Sequence, residues 1–183
     1  YSAGGPSNSG TFRDIQIIRS DTVAATLDVY DFLVYWNQKD NIRLRDQDII
    51  KIDPYDKRVE LVGNTKRTGL FELTEQETIQ NLITYAGGFG NDAYTKRIKV
   101  IGNTETQKRI DDISYPEQND FELSDGDSVS VGQVLNRFEN RVEIEGAVFR
   151  PGDYELQDST SLYSLIQRAE GLREDVFMNR GLI

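Results

Sequence analysis

The chain repeats itself at a domain-sized step. Ala3-Gly4-Gly5 recurs as Ala86-Gly87-Gly88 and, with one letter changed, as Ala169-Glu170-Gly171, each step being 83 residues. Solenoid periods run about 20–50 residues, so a step this long marks the return of a small domain. Whatever one copy folds into, the others must fold into as well. A unit of about 80 residues can fold alone on a small core, and a chain of 183 residues then reads as a tandem array rather than one large domain. The first copy opens partway through the motif, so the expected parent is a longer protein, and the lack of a visible signal peptide says nothing about secretion.

Laying residues 58–97 over 141–180 without a gap exposes the shared pattern. Val59-Glu60 falls on Val142-Glu143, Gly63 on Gly146, Gly69 on Gly152, Glu72-Leu73 on Glu155-Leu156 and Leu82-Ile83 on Leu165-Ile166. Ala86, Gly88, Asp92 and Arg97 meet Ala169, Gly171, Asp175 and Arg180. Val59 and Leu61 alternate with charged neighbours, as do Phe71 and Leu73, which predicts two half-buried strands. Between them lies turn chemistry, written Arg150-Pro151-Gly152 in the later copy. Ile79, Leu82, Ile83 and Ala86 are spaced as one helical stripe, repeated by Leu162, Leu165, Ile166 and Ala169. Thr78 and Ser161 are the matched N-cap candidates, preferred over a Thr74-x-x-Glu77 box that the later copy does not repeat. Gly88 and Gly171 suit a helix stop.

A strand Ile98–Ile101 follows, matching Ile15–Ile18. After a variable stretch read as loop comes a last strand. Leu44-x-Asp46-Gln47-Asp48-Ile49-Ile50-Lys51-Ile52 matches Leu123-x-Asp125-Gly126-Asp127-Ser128-Val129-Ser130-Val131. The unit therefore reads hairpin, helix, strand, loop, strand. That predicts an α+β fold, a mixed sheet packed on one short helix per repeat.

Composition narrows the function classes. The net charge of -10 repels phosphate backbones, so nucleic acid is not an expected partner. Without cysteine there is no disulfide or thiolate nucleophile, and without histidine the commonest general base and metal ligand are missing. No apolar run approaches the roughly 18 residues of a membrane span.

The ordered set Val142-x-Ile144-x-Gly146-x-Val148-x-Arg150-Pro151-Gly152-x-Tyr154, the helix ending Ala86-Gly87-Gly88 and the closing Asp125-Gly126-Asp127-x-Val129-x-Val131 resembles the soluble ligand-binding β-grasp (SLBB) domain. The stretch Phe12-Arg13-x-Ile15-Gln16-Ile17-Ile18-Arg19, with Leu27–Leu33 and Ile42-Arg43-Leu44, is similar to the polysaccharide biosynthesis and export proteins, Wza-type outer-membrane exporters among them. The departures lie in turns: Arg67-Thr68-Gly69 lacks the Pro, Glu170 replaces a Gly, and Asp46-Gln47-Asp48 lacks the turn Gly. The resemblance implies tandem β-grasp (ubiquitin-like) domains forming a non-enzymatic periplasmic module of a capsular or exopolysaccharide exporter, associated with a Gram-negative outer membrane through its parent. It implies no cofactor. Polysaccharide, sibling repeats or further copies, and an inner-membrane polysaccharide co-polymerase are the implied partners. The alternative is a soluble module with a defined pocket for a glycan or small molecule, and a glycosidase is the enzymatic reading.

On this alignment residues 1–57 are the C-terminal part of a first repeat, 58–140 a complete repeat, and 141–183 the N-terminal part of a third. The two partial repeats are complementary, so they are expected to complete one another, within one chain or between two. As candidate glycan contacts, Tyr30, Tyr35 and Trp36 offer rings on which sugar CH faces stack, and Lys96, Arg97 and Lys99, with Arg13 and Arg19 at related positions in the first unit, offer charge for an acidic glycan. Core packing and a solvated strand face are the plainer alternatives. Lys66, Arg67 and Arg150, in the hairpin turns, are candidate assembly contacts. The acidic pairs Asp46/Asp48, Asp125/Asp127 and Asp111/Asp112 raise calcium or carboxylate catalysis, against a matched turn role. No catalytic or metal-binding residue is assigned. Gly87-Gly88-Phe89-Gly90 follows a helix, whereas phosphate loops precede one, so it reads as a stop.

Overall fold

The computed structural model describes residues 5–176; Ala3, Gly4 and Arg180, which carry repeat matches, lie outside them. The described residues form two compact units, divided between Val134 and Leu135. The first holds β1 (Gly10–Arg19), β2 (Thr22–Leu27), α1 (Val29–Tyr35), β3 (Ile49–Pro54), β4 (Lys57–Gly63), β5 (Gly69–Leu73), α2 (Ile79–Tyr85), β6 (Ala93–Asn103), β7 (Lys108–Ile113) and β8 (Ser128–Gln133). The second holds β9 (Arg141–Ile144), β10 (Gly152–Glu155) and α3 (Leu162–Arg168).

The fold is α+β. A mixed five-stranded sheet runs β5-β4-β8-β6-β7, in which β4 and β8 are parallel and the other neighbours antiparallel. Its core is the alternation read along the strands: Val59 and Leu61 of β4, Val100 of β6 and Val129 of β8 are fully buried. Ile79, Leu82 and Ile83 of α2 cover them. Seven residues are far too few for a helix to persist alone in water. Burying each such aliphatic side chain contributes about 1.5–3 kcal/mol, which is what holds α2. Thr78 and Ser161 are the N-caps. The Asn81 side chain accepts from the Thr78 N–H at 3.1 Å, and Ser161 and Ser164 cap each other reciprocally.

The repeat extends to backbone detail. Thr65 bridges Phe89 as Val148 bridges Leu172. Gly88 donates to Ile83 as Gly171 does to Ile166. Val100 pairs with Val129 as Ile17 pairs with Ile50, so the two strand pairs share a register there. Two left-handed turns are built with glycine in one copy and a side chain in the other: Gly87 (φ 80) against Glu170 (φ 64), and Gly126 (φ 76) against Gln47 (φ 69).

The stretches read as variable loop hold structure instead. β2 and β7 are edge strands antiparallel to β1 and β6. Edge strands bury little, so they carry no clean alternation: β2 has no buried residue and β7 buries only Ile113. α1 lies between β2 and β3 and is capped by Asp28, whose carboxylate accepts from the Tyr30 N–H at 2.8 Å. The first repeat thus contributes a separate sheet, β2-β1-β3, and β9 and β10 form a two-stranded sheet.

Candidate functional site

The most elaborate chemistry of the first unit lies where β1 and α1 meet β5 and α2. Strand alternation on β5 directs Phe71 and Leu73 one way and Glu72 the other, toward expected solvent. Glu72 is instead buried, because β1 lies there. Its carboxylate accepts from the Thr11 hydroxyl and, at 2.9 Å, from the Phe12 N–H. Arg13, also nearly buried, donates to Asp28 at 2.8 Å and in a fork to both oxygens of Glu77 at 2.8 Å. A two-point guanidinium–carboxylate pair fixes orientation as well as charge. The cation also rests over the rings of Tyr30 (4.6 Å) and Tyr85 (5.5 Å), which pack edge to face at 4.9 Å.

These contacts set the local ionisation. Burial alone disfavours charge on Arg13, but the Glu77 and Asp28 carboxylates outweigh it and hold the guanidinium charged. Burial pushes Glu77 up, yet Arg13, the Tyr85 hydroxyl and the Thr74 N–H together bring it below the usual carboxylate range. Tyr85 is raised by burial and by its bond to Glu77, and Tyr30 chiefly by burial. These directions keep Arg13 charged, Glu77 ionised and both tyrosine hydroxyls protonated near neutral pH. The arrangement ties β1 and α1 to β5 and α2.

Beside this clamp is a groove of about 280 Å³, walled by Val29, Leu33 and Val34 of α1 and by Leu70 and Phe71 of β5, with Arg67 at its rim. Tyr30 lines it but is an anchor, its hydroxyl accepting from the Glu72 N–H at 2.8 Å. Tyr35 is exposed, and Trp36, in a left-handed cap of α1, is 78% exposed. Lys96, Arg97 and Lys99 lie on β6. In strand order β6 is three places from β5, about 14 Å at the usual spacing, so the basic and aromatic candidates do not converge. Arg97 pairs with Asp112 at 2.8 Å and Lys96 with Glu117 at 3.9 Å.

Of the turn residues, Lys66 donates its N–H to Gly88 at 3.0 Å, and Arg150 pairs with Glu170 at 2.6 Å. The Asp-x-Asp pairs hold backbone. Asp127 accepts from the Ser124 N–H and Asp125 from the Arg58 N–H, both at 2.8 Å. Asp48 accepts from the Arg45 N–H and pairs with Arg19, which together lower it to about 2. Arg13 was read from the sequence as a possible contact for an acidic glycan and is instead taken up by Asp28 and Glu77; Glu72 and Glu77 were not singled out as a site. The available signal was Glu72 itself, matched in the repeat by Glu155, which is exposed: only the neighbour differs.

The fold is α+β and β-grasp-like, with β1 and α1 held to β5 and α2 by a buried ion-pair clamp, and no described helix is long and apolar enough to cross a membrane. The SLBB domain family model matches residues 58–106, in agreement with the resemblance read from the sequence. No curated protein matches the chain.

Proposed function

We propose that this chain is a non-enzymatic module of a capsular or exopolysaccharide export protein, acting in the periplasm in assembly of the export channel. The clamp is the observation that supports this reading. A neutral surface linker would leave two repeats free to swing, whereas a buried, doubly hydrogen-bonded Arg13 makes β1, α1 and the SLBB domain one body, as a spacer in a channel wall requires. The inner-membrane polysaccharide co-polymerase is the envelope partner that the resemblance implies. Deleting residues 58–133 from the parent gene is expected to abolish surface polysaccharide, and Arg13→Ala to reduce it. Undiminished export in the deletion strain overturns the reading.

The groove favours a second reading, a glycan-contacting module. An apolar wall with exposed Leu33, Tyr35 and Trp36 nearby and one rim arginine suits the CH face and acidic group of a charged sugar. Titrating the chain with millimolar acidic capsular oligosaccharide is expected to move amide signals of Leu33–Trp36 and Arg67. Unmoved signals there remove the glycan contact and leave assembly.

A further inference from the structure

The chain has two joints that can be compared place by place. The first runs from β3 to β4 and carries the clamp; the second runs from β8 to β9. The clamp draws on β1 and α1 before its joint and on β5 and α2 after it. At the second joint β6 stands for β1, and β10 and α3 for β5 and α2, so the places to compare all lie within the described residues. Gly10 pairs with Pro54 as Ala93 pairs with Gln133, and Ile17 with Ile50 as Val100 with Val129, which sets Lys96 at the place of Arg13. Glu155 lies opposite Arg141 as Glu72 lies opposite Arg58. The caps Ser161 and Thr78 set Thr160 at the place of Glu77, and Arg168 ends α3 where Tyr85 ends α2. Asp28 and Tyr30 come from α1, and no helix lies between β7 and β8 to supply their like.

Each replacement keeps a local task and drops the one that reaches across the joint. Glu77 accepts from the Thr74 N–H at 2.8 Å and also takes the fork of Arg13. Thr160 accepts from the Gln157 N–H at 2.9 Å, but its hydroxyl has neither the charge nor the second oxygen to hold a guanidinium. Lys96 carries a compact charge that cannot make a two-point pair, and its ammonium lies 3.9 Å from Glu117 of its own unit. The Glu72 carbonyl accepts from Arg13 Nη1 at 3.1 Å, across the joint. The Glu155 carbonyl accepts from Arg168 Nη1 at 2.8 Å, from the helix of its own unit. That acceptor is already filled, and by a cation. Closed as the first joint is, the second would bring Lys96 to Arg168 instead of to a carboxylate, setting like charges together.

The connections differ in the same sense. Residues 55–56 join β3 to β4; the Tyr55 N–H donates to the Ser9 carbonyl at 3.1 Å, and the Arg58 guanidinium lies 3.8 Å over the Tyr55 ring. Residues 134–140 join β8 to β9. Val134 donates to Asp92 at 2.9 Å and Asn140 accepts from the Leu156 N–H at 2.6 Å, so each end is tied to its own unit and residues 135–139 run between. Units of one chain move against each other unless a specific or extensive interface holds them. We propose that the second joint is a hinge: residues 135–139 let β9, β10 and α3 turn as one folded body against the SLBB domain, while the clamp locks β1–β3 and α1 to it.

The inference goes beyond the export reading and stands without it. The chain has no cysteine, so spin labels can be placed in chosen pairs at exposed positions. Asp21→Cys with Glu105→Cys spans the first joint, Glu105→Cys with Asp158→Cys spans the second, and Glu145→Cys with Asp158→Cys lies within the second unit. Pulsed dipolar spectroscopy is expected to give one narrow distance for the first and third pairs and a broad distribution for the second. Adding Arg13→Ala should broaden the first pair and leave the other two as they were. A second pair as narrow as the first overturns the hinge and leaves the stiff-spacer reading standing. A broad third pair also overturns it, since β9, β10 and α3 are then not one folded body. A broad first pair in the otherwise unaltered chain removes both the contrast and the rigid body on which the export reading leans. A first pair left narrow by Arg13→Ala overturns the clamp as the lock.

Discussion

The SLBB unit and the half-unit before it share a register and differ in what they bury. Val129 and Ile50 occupy equivalent places, each paired with an equivalent neighbour, yet one is sealed and the other open. Leucine-type residues at such positions are therefore not evidence of a core in themselves. Burial is a property of the neighbourhood, and the same strand is a core strand or an interaction edge depending on whether a hairpin and helix lie beside it.

The largest effects should fall where the complete unit is sealed. Ile79→Ala is expected to destabilise by about 2–5 kcal/mol, whereas the equivalent Leu162→Ala, already exposed, should change isolated-chain stability by no more than about 0.5 kcal/mol. Denaturant melts of both variants check this, and equal losses would break the comparison. Next in size is the clamp. Arg13→Ala leaves Glu77 and Asp28 buried without their cation, a loss of about 3 kcal/mol, while Arg97→Ala, an exposed pair, should cost about 0.5 kcal/mol or less.

The pH response sharpens the same contrast. Glu77 and Asp48 both lie below their usual range, Asp48 at about 2. Carboxylates lowered in the folded state add stability above their unfolded values of roughly 4, and this is lost as pH falls through the folded values. Melting temperature should be level from about pH 5 to 8 and decline from about pH 4 toward 2. Arg19→Ala should move the Asp48 part of that decline to higher pH, readable as the carboxyl chemical shift of Asp48. The smallest effects should come at the left-handed turns. Glu170→Gly and Gln47→Gly each relieve a conformation that side chains resist, for a gain of about 0.5–1 kcal/mol, while Gly87→Ala and Gly126→Ala should lose a similar amount.

Much of the fold was legible because the repeat multiplies weak signals. The stripes of Ile79–Ala86 and Leu162–Ala169, their caps Thr78 and Ser161 and the matched closing strands each gained weight from a second copy. β2, β7 and α1 were not legible. The edge strands have no buried alternation to display, and the helix in the aromatic run after Asp28 was left unread, although packing, the reading preferred there over a glycan contact, is where Tyr30 and Val34 go. The exposed Trp36 agrees with its polar surroundings. The clamp escaped because Glu72 sits on the strand face that pattern assigns to water; only the arrival of β1 makes it a buried acceptor.

Hydrogen exchange of the amides in β3, compared with those in β8, tests the central claim most directly. The amides of Ile49–Ile52, on a strand with one described neighbour, should exchange far faster than those of Ser128–Val131, which lie between two strands. Equal protection of the two strands would contradict the account.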